Sequence, residues 1–386
     1  MADTLHRRVW VEINLDAIEQ NYQKIAHRVA PAQVLCVLKA NAYGLGVANY
    51  ARALASTSCM GFGVAEPFEA KELRHVLNEL GSDKKIQILS SILPDEIAPM
   101  VEADVTLPLI DEETARLISS AAQAAHRRVR VHVKVDSGMG RLGVRLDDAY
   151  TFVHKVWNDP NLICEGIFSH CPLAYDPHNP YTHQQIARFA AFIERLKSEG
   201  ITFPYVHIAA SDAINNFPEA ACAPFNLVRA GINLHGSFDP NGRRVLDVEP
   251  VLTLKTRVAQ VRNLPAGATL GYGRTWCLAE SSRIATISAG YADGLPLALS
   301  NRGFVLIQGV RCPILGRISM DYTTVDVSAV PSVTPGDEVI CFGRSGNESI
   351  SPDDWAALKG THAYDIICSL GSRVARVAVS SAGGQQ

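Results

Sequence analysis

The sequence predicts an α/β fold: a (β/α)8 TIM-type barrel over residues 12–245, followed by a mainly-β C-terminal domain over 246–386. Three observations predict it. Short β-rich apolar runs alternate with longer helical patterns, which implies a parallel sheet. The runs recur roughly every 28 residues, about the length of one βα unit, and there are eight of them. After about residue 245 the rhythm gives way to short strands separated by Gly, Pro and Asn turns. An open doubly wound sheet is the alternative for the first part, but no GxGxxG follows its first strand.

The eight expected strands are 34–40, 60–66, 85–91, 105–110, 128–136, 164–170, 205–211 and 227–235. Between them the spacing is helical. Over 182–199, Ile186, Phe189, Phe192, Ile193 and Leu196 share one face, and Gly200 supplies a stop. In 128–136, alternation puts Arg130, His132, Lys134 and Asp136 on one face and four valines on the other. A lysine on an inward face is a costly buried cation. The later runs, such as RIATISAGY, GFVLIQGV and TTVDVSAV, read as strands of the second domain, which the N-terminal segment 1–11 is able to join. The tail from Ser380 is expected to fray.

Composition narrows the function. Thirty-six Lys and Arg against 39 Asp and Glu give a net charge of −3, without the basic surplus that nucleic acid or an anionic membrane demands. A 47% hydrophobic content excludes disorder. Nine cysteines are scattered without a CxxC, which points to a reducing compartment and no disulfide framework. The first residues lack an apolar core and no apolar stretch reaches ~18 residues, so a cytoplasmic protein is expected. His170, Cys171, Asp176, His178 and His183 crowd one segment, but their spacing matches no structural zinc pattern, and no metal is expected.

In a barrel, active-site residues come from the C-terminal ends of the strands. Here those ends carry Lys39, Lys134, Asp136, His170, His207, Ser211 and Arg229. Any one of them can simply solvate a loop; several in one barrel mouth point to a site. Lys39, after the apolar run VLCVL, has the strongest case. Desolvation there lowers an amine's pKa and frees it to form a Schiff base.

The motif VLKANAYGLG (37–46) resembles the pyridoxal-phosphate lysine motif of alanine racemases. The resemblance continues in order through KVDSGMGRLG (134–143), FSH (168–170), HIAAS (207–211), VRAGI (228–232), LGYGRTW (270–276), AGYADGLP (289–296) and GRISMDY (316–322). It implies a racemase that interconverts L- and D-alanine and supplies D-alanine for peptidoglycan. A broader or serine racemase of the same fold, and a non-catalytic PLP-binding protein, are the alternatives. The last of these resembles a lone barrel, which the second domain argues against.

The resemblance also implies roles. Lys39 would hold PLP and act as one acid/base group, and Tyr272 would be the other, contributed by the partner in a homodimer with a shared active site. Two groups are expected because the proton leaves one face of Cα and returns on the other. Without the resemblance, Tyr272 reads better as a packed aromatic in a β-turn (LGYG). Arg141 would favour the phenolate and orient the substrate carboxylate. Arg229 would donate to the pyridine nitrogen but, staying protonated, could not give it a proton. Tyr43, Ser211 and the amides of Gly231 and Ile232 would hold the phosphate, and His170 would flank the ring. Met320 would offer its backbone amide to the substrate, with Tyr291 and Asp321 at the entrance. Lys134 would be carbamylated and hold Arg141. Ser372 stands where many members carry a tyrosine, which implies a wider pocket; His235 and Ser319 replace a usual tyrosine and cysteine.

Overall fold

The computed structural model describes residues 7–380, so the expectations for the first six residues and for 381–386 lie outside the described residues. The chain divides into two compact units. One comprises residues 18–42 and 50–248. The other takes the described residues up to Ala17, the segment Tyr43–Asn49, and the described residues from Glu249 on.

The first strand of the chain, β1 (Val9–Asn14), belongs to the second of these units. The barrel unit holds β2 (Gln33–Val37), β3 (Gly61–Val64), β4 (Lys85–Ile88), β5 (Leu107–Leu109), β6 (Val129–Asp136), β7 (Leu162–Phe168), β8 (Tyr205–His207) and β9 (Leu227–Ala230). All eight expected runs are strands. They pair in parallel as β9-β2-β3-β4 and β5-β6-β7-β8. Two seams close the ring. Ile88 N donates to Thr106 O at 3.0 Å between β4 and β5, and Arg229 N donates to Ala209 O at 3.1 Å between β8 and β9.

Several strands end earlier than the sequence implies, because their C-terminal residues start something else. Ser211 opens the helix Ser211–Asn216, Ile232–His235 forms a 3-10 turn, and Lys39 leads into an unusual backbone described below. The helix Pro180–Ser198 buries Ile186, Phe189, Phe192, Ile193 and Leu196, the face read from the spacing. Burying each contributes roughly 1.5–3 kcal/mol. The Asn179 side chain caps it by accepting from Tyr181 N at 3.0 Å, and Gly200 ends it with φ 85°.

In β6 the alternation holds: His132 and Lys134 are buried with the barrel interior's polar groups, and the valines form the other buried face. His235 is fully buried and bonds Tyr50. Among the described residues no disulfide joins the cysteines.

The second unit centres on the thirteen-residue strand β10 (Leu252–Leu264) of a nine-stranded sheet. It pairs antiparallel with β1, with Ser282–Ile287 and with Glu338–Ser345. β1 in turn pairs in parallel with Ala375–Val379. Two helices, Pro352–Lys359 and Ala363–Cys368, interrupt the β character. No helix among the described residues is long and apolar enough to cross a membrane.

Candidate active site

Lys39 follows buried Leu38, the residue just beyond the end of β2. The next four residues, Ala40, Asn41, Ala42 and Tyr43, have φ of 53°, 53°, 51° and 58°. This is a left-handed turn built from residues with a Cβ. Each costs roughly 1–2 kcal/mol, so the surroundings must hold it. Lys39 itself is exposed, which corrects the expectation of a desolvated amine. It sits two residues past the strand, at the rim rather than inside the mouth.

The barrel interior carries the rest of the cationic cluster. Lys134 is only 7% exposed, and its Nζ donates to Leu89 O at 2.7 Å. Burial, aided by Arg229, Arg141 and Lys39, pushes its amine down to about 8. Arg229 is buried too. Its guanidinium donates to His207 Nδ1 at 2.7 Å, Ser169 O at 2.8 Å and Ile208 O at 3.0 Å. A longer bond of 3.3 Å reaches His170 Nδ1. Burial and then the charges of Arg229, Arg141, Lys39 and Lys134 hold the His170 imidazole down to about 3. His170 is therefore neutral at physiological pH. Four cations around one neutral imidazole form a mouth suited to anions.

Asp136 belongs to the scaffold. Its carboxylate accepts from Gly138 N at 2.9 Å, Met139 N at 2.8 Å and Gly140 N at 2.9 Å, shaping the loop that presents Arg141. Ser211 is buried, and its Oγ accepts from Gly231 N at 3.1 Å. The loops after the last two barrel strands thus meet at one point, and Ile232 starts the turn that follows.

The remaining expected residues lie in the other unit. Tyr43 is buried, with its ring 6.1 Å from that of Tyr364. Tyr272 is 70% exposed, on a turn in which Gly271 and Gly273 have φ of 71° and 74°. A Cβ on Gly271 would lie 2.9 Å from Arg317 N, so the turn needs glycine there. The loops of Tyr291, Met320 and Asp321 come together: Tyr291 N donates to Ser319 O at 3.0 Å and Ala292 N to Met320 O at 3.1 Å. Arg373 locks them, with a two-pronged bond to buried Asp293 at 2.7 and 2.9 Å and a 2.7 Å ion pair to Asp321. Ser372 is exposed.

Sequence reading missed the residues that hold these parts. Asp293 lies within AGYADGLP, but nothing local marks it as the partner of Arg373. Among the described residues no three His, Cys, Asp or Glu side chains gather as metal ligands. The crowded histidine segment disperses instead, with His183 on Glu219 at 2.6 Å and His170 on Arg229.

A family model described as alanine racemase, N-terminal domain, matches residues 13–239, and one described as alanine racemase, C-terminal domain, matches 251–378. A curated alanine racemase of Halothermothrix orenii is 35% identical over the full length of both chains. The crystal structure of alanine racemase from Streptomyces lavendulae superposes with a TM-score of 0.89 at 31% identity, covering 98% of each chain. That of alanine racemase from Bartonella henselae, with covalently bound pyridoxal phosphate, does so at 0.84 and 30%, covering 96% of this chain and 99% of that one.

Proposed function

Because this chain belongs to the alanine racemase family, we propose a division of labour by which its side chains interconvert L- and D-alanine on pyridoxal 5′-phosphate. The chain is an amino-acid racemase, an isomerase, and its cofactor is PLP. The D-alanine it makes serves peptidoglycan synthesis in the cytoplasm.

The residues fit the cofactor. An amine at the barrel rim suits its aldehyde, and the Ser211–Gly231 meeting point suits its phosphate, to which the family resemblance also assigns Ile232 and Tyr43. This is the usual phosphate position of a barrel, after its last two strands. Bound PLP supplies a conjugated ring that accepts electrons and makes the Cα proton of the amino acid acidic.

Lys39 holds the cofactor and moves the proton on one face of Cα. Tyr272 moves it on the other face. Its 70% exposure leaves the phenol available to a second protomer, which supports a homodimer with shared sites. Arg229 presents donors only, so it would bond the cofactor's ring nitrogen without giving it a proton. Arg141 favours the phenolate of Tyr272 and draws in the substrate carboxylate, which the Met320 amide also receives. His170, neutral, would flank the ring. Tyr291 and Asp321 border the entrance. Lys134, as a carbamate, becomes an anion among three cations and holds Arg141.

The single observation that carries this reading is the buried Arg229 guanidinium at the barrel mouth, fixed on His207 Nδ1 at 2.7 Å and reaching His170 Nδ1 at 3.3 Å. A chirality-resolved assay of the purified chain with each of the twenty amino acids tests it. Conversion of alanine in both directions is expected. Activity confined to other amino acids, or absent with PLP bound, would reject it.

A further inference from the structure

Below the cationic mouth, the barrel core holds a continuous polar file. Arg229 Nη1 faces His207 Nδ1 at 2.7 Å, and His207 Nε2 faces His132 Nδ1 at 3.0 Å. The Gln87 side-chain nitrogen also meets His132 Nδ1 at 3.0 Å. His132 Nε2 then points at Glu165 Oε2, 3.8 Å away. Among the described residues neither of these last two atoms has a hydrogen-bond partner. The other carboxylate oxygen of Glu165 bonds Lys85, the first residue of β4. His132, His207 and Gln87 are at most 1% exposed. Gly166, beside Glu165, makes room: a Cβ there would lie 2.4 Å from His132 Cε1.

The two ends of this file have fixed polarity. A guanidinium only donates, and an ionised carboxylate only accepts. His207 must therefore leave Nδ1 bare for Arg229. A neutral ring then carries its proton on Nε2 and donates it to His132 Nδ1. His132 in turn carries its proton on Nε2, toward Glu165. Burial disfavours the charged form of both rings, which keeps one proton on each. Burial also works against the Glu165 anion, but His132 and Lys85 outweigh it and hold the carboxyl at about 2.

We propose that Glu165 is a positioning residue for Arg229: its carboxylate charge, 3.8 Å from His132 Nε2, favours the proton on that nitrogen, biases the tautomers of both buried histidines and so keeps His207 Nδ1 as the acceptor that aims the guanidinium. The effect on the reaction rests on Arg229 facing the cofactor; the tautomer assignment does not.

The test is nitrogen NMR of the full chain with PLP bound, its histidines labelled with 15N in the ring. His207 is expected to show a bare Nδ1 and a protonated Nε2. In Glu165→Gln, Lys85 claims the one carbonyl oxygen and the amide NH2 turns to His132. The file is then opposed by donors at both ends, so its single proton arrangement is lost and the His207 Nδ1 signal moves part of the way from the bare toward the protonated position. Turnover falls about tenfold, the scale seen when an outer hydrogen-bond partner is lost, with KM changed less than about twofold. In Lys85→Met/Glu165→Gln the oxygen is free to face His132, and the original pattern returns. This neutral pair also serves if Glu165→Gln alone does not fold. A protonated His207 Nδ1 in the unaltered chain overturns the proposal. So does an unchanged pattern in folded Glu165→Gln, or a double variant that fails to restore it. A correct tautomer pattern in a chain that racemises nothing would instead overturn the functional reading alone.

Discussion

Arg376 Nε donates to the carbonyl oxygen of Gly44 at 2.9 Å, tying the C-terminal strand to the loop five residues past Lys39. The same guanidinium bonds three more carbonyls, those of Gly371, Val374 and Leu370, at 2.6–2.9 Å. Arg376→Met leaves all four without this donor. We expect a loss of roughly 1.5–3 kcal/mol, the scale of a charged hydrogen bond, read from urea unfolding. Weaker retention of PLP on dialysis should accompany it.

Lys39→Ala should remove the visible absorbance of the bound cofactor and at least about 10³-fold of the turnover, since the amine both anchors PLP and moves a proton. Retained absorbance at a fixed cofactor ratio would place the anchoring amine elsewhere.

Tyr272→Phe keeps the ring and loses only the acid. Cofactor binding should persist, while Cα hydrogen exchange in heavy water should fall by about 10²–10⁴-fold for one enantiomer of alanine only. Equal exchange from both enantiomers would eliminate the two-base assignment.

Lys134 gives a pH signature. Its folded-state amine titrates near 8 instead of 10.5. Between those values the unfolded chain binds the additional proton, so stability rises with pH across that window and carries the full penalty below it. In carbon-dioxide-free buffer the unmodified chain should gain stability over this range relative to Lys134→Met. Added bicarbonate near pH 8 should raise both stability and turnover, because a carbamate replaces the buried cation by an anion. An unmodified Nζ in an experimental density map would reject the carbamate.

Ser372→Tyr should narrow the pocket. The ratio of kcat/KM for alanine over serine is expected to rise by about 10-fold, within the 1–3 kcal/mol that one steric contact provides. No change would mean that Ser372 does not border the substrate.

Much of the barrel was legible because burial on both faces writes a strand as an apolar run. Polar residues at its C-terminal end then stand out, as Lys39, His170 and Arg229 do. Alternation also placed His132 and Lys134 on one face. What the sequence hides is pairing across the barrel. Glu165 and His132 come within 3.8 Å because β6 and β7 are neighbours whose register shifts at Glu165, and no local spacing encodes that. The grouping of Tyr43–Asn49 with the C-terminal residues is hidden for the same reason: it depends on Arg376, more than three hundred positions away. Nor does Ala-Asn-Ala-Tyr announce positive φ, since two alanines and a tyrosine have no intrinsic preference for it.

That mirror-handed stretch sets durability against accuracy. Four residues at roughly 1–2 kcal/mol each hold energy comparable to a domain's whole margin against unfolding. Glycines at 40–42 would relieve it and yield a hardier molecule. They would also let the chain beyond Lys39 wander, and the amine would lose the fixed launching point from which it reaches its aldehyde.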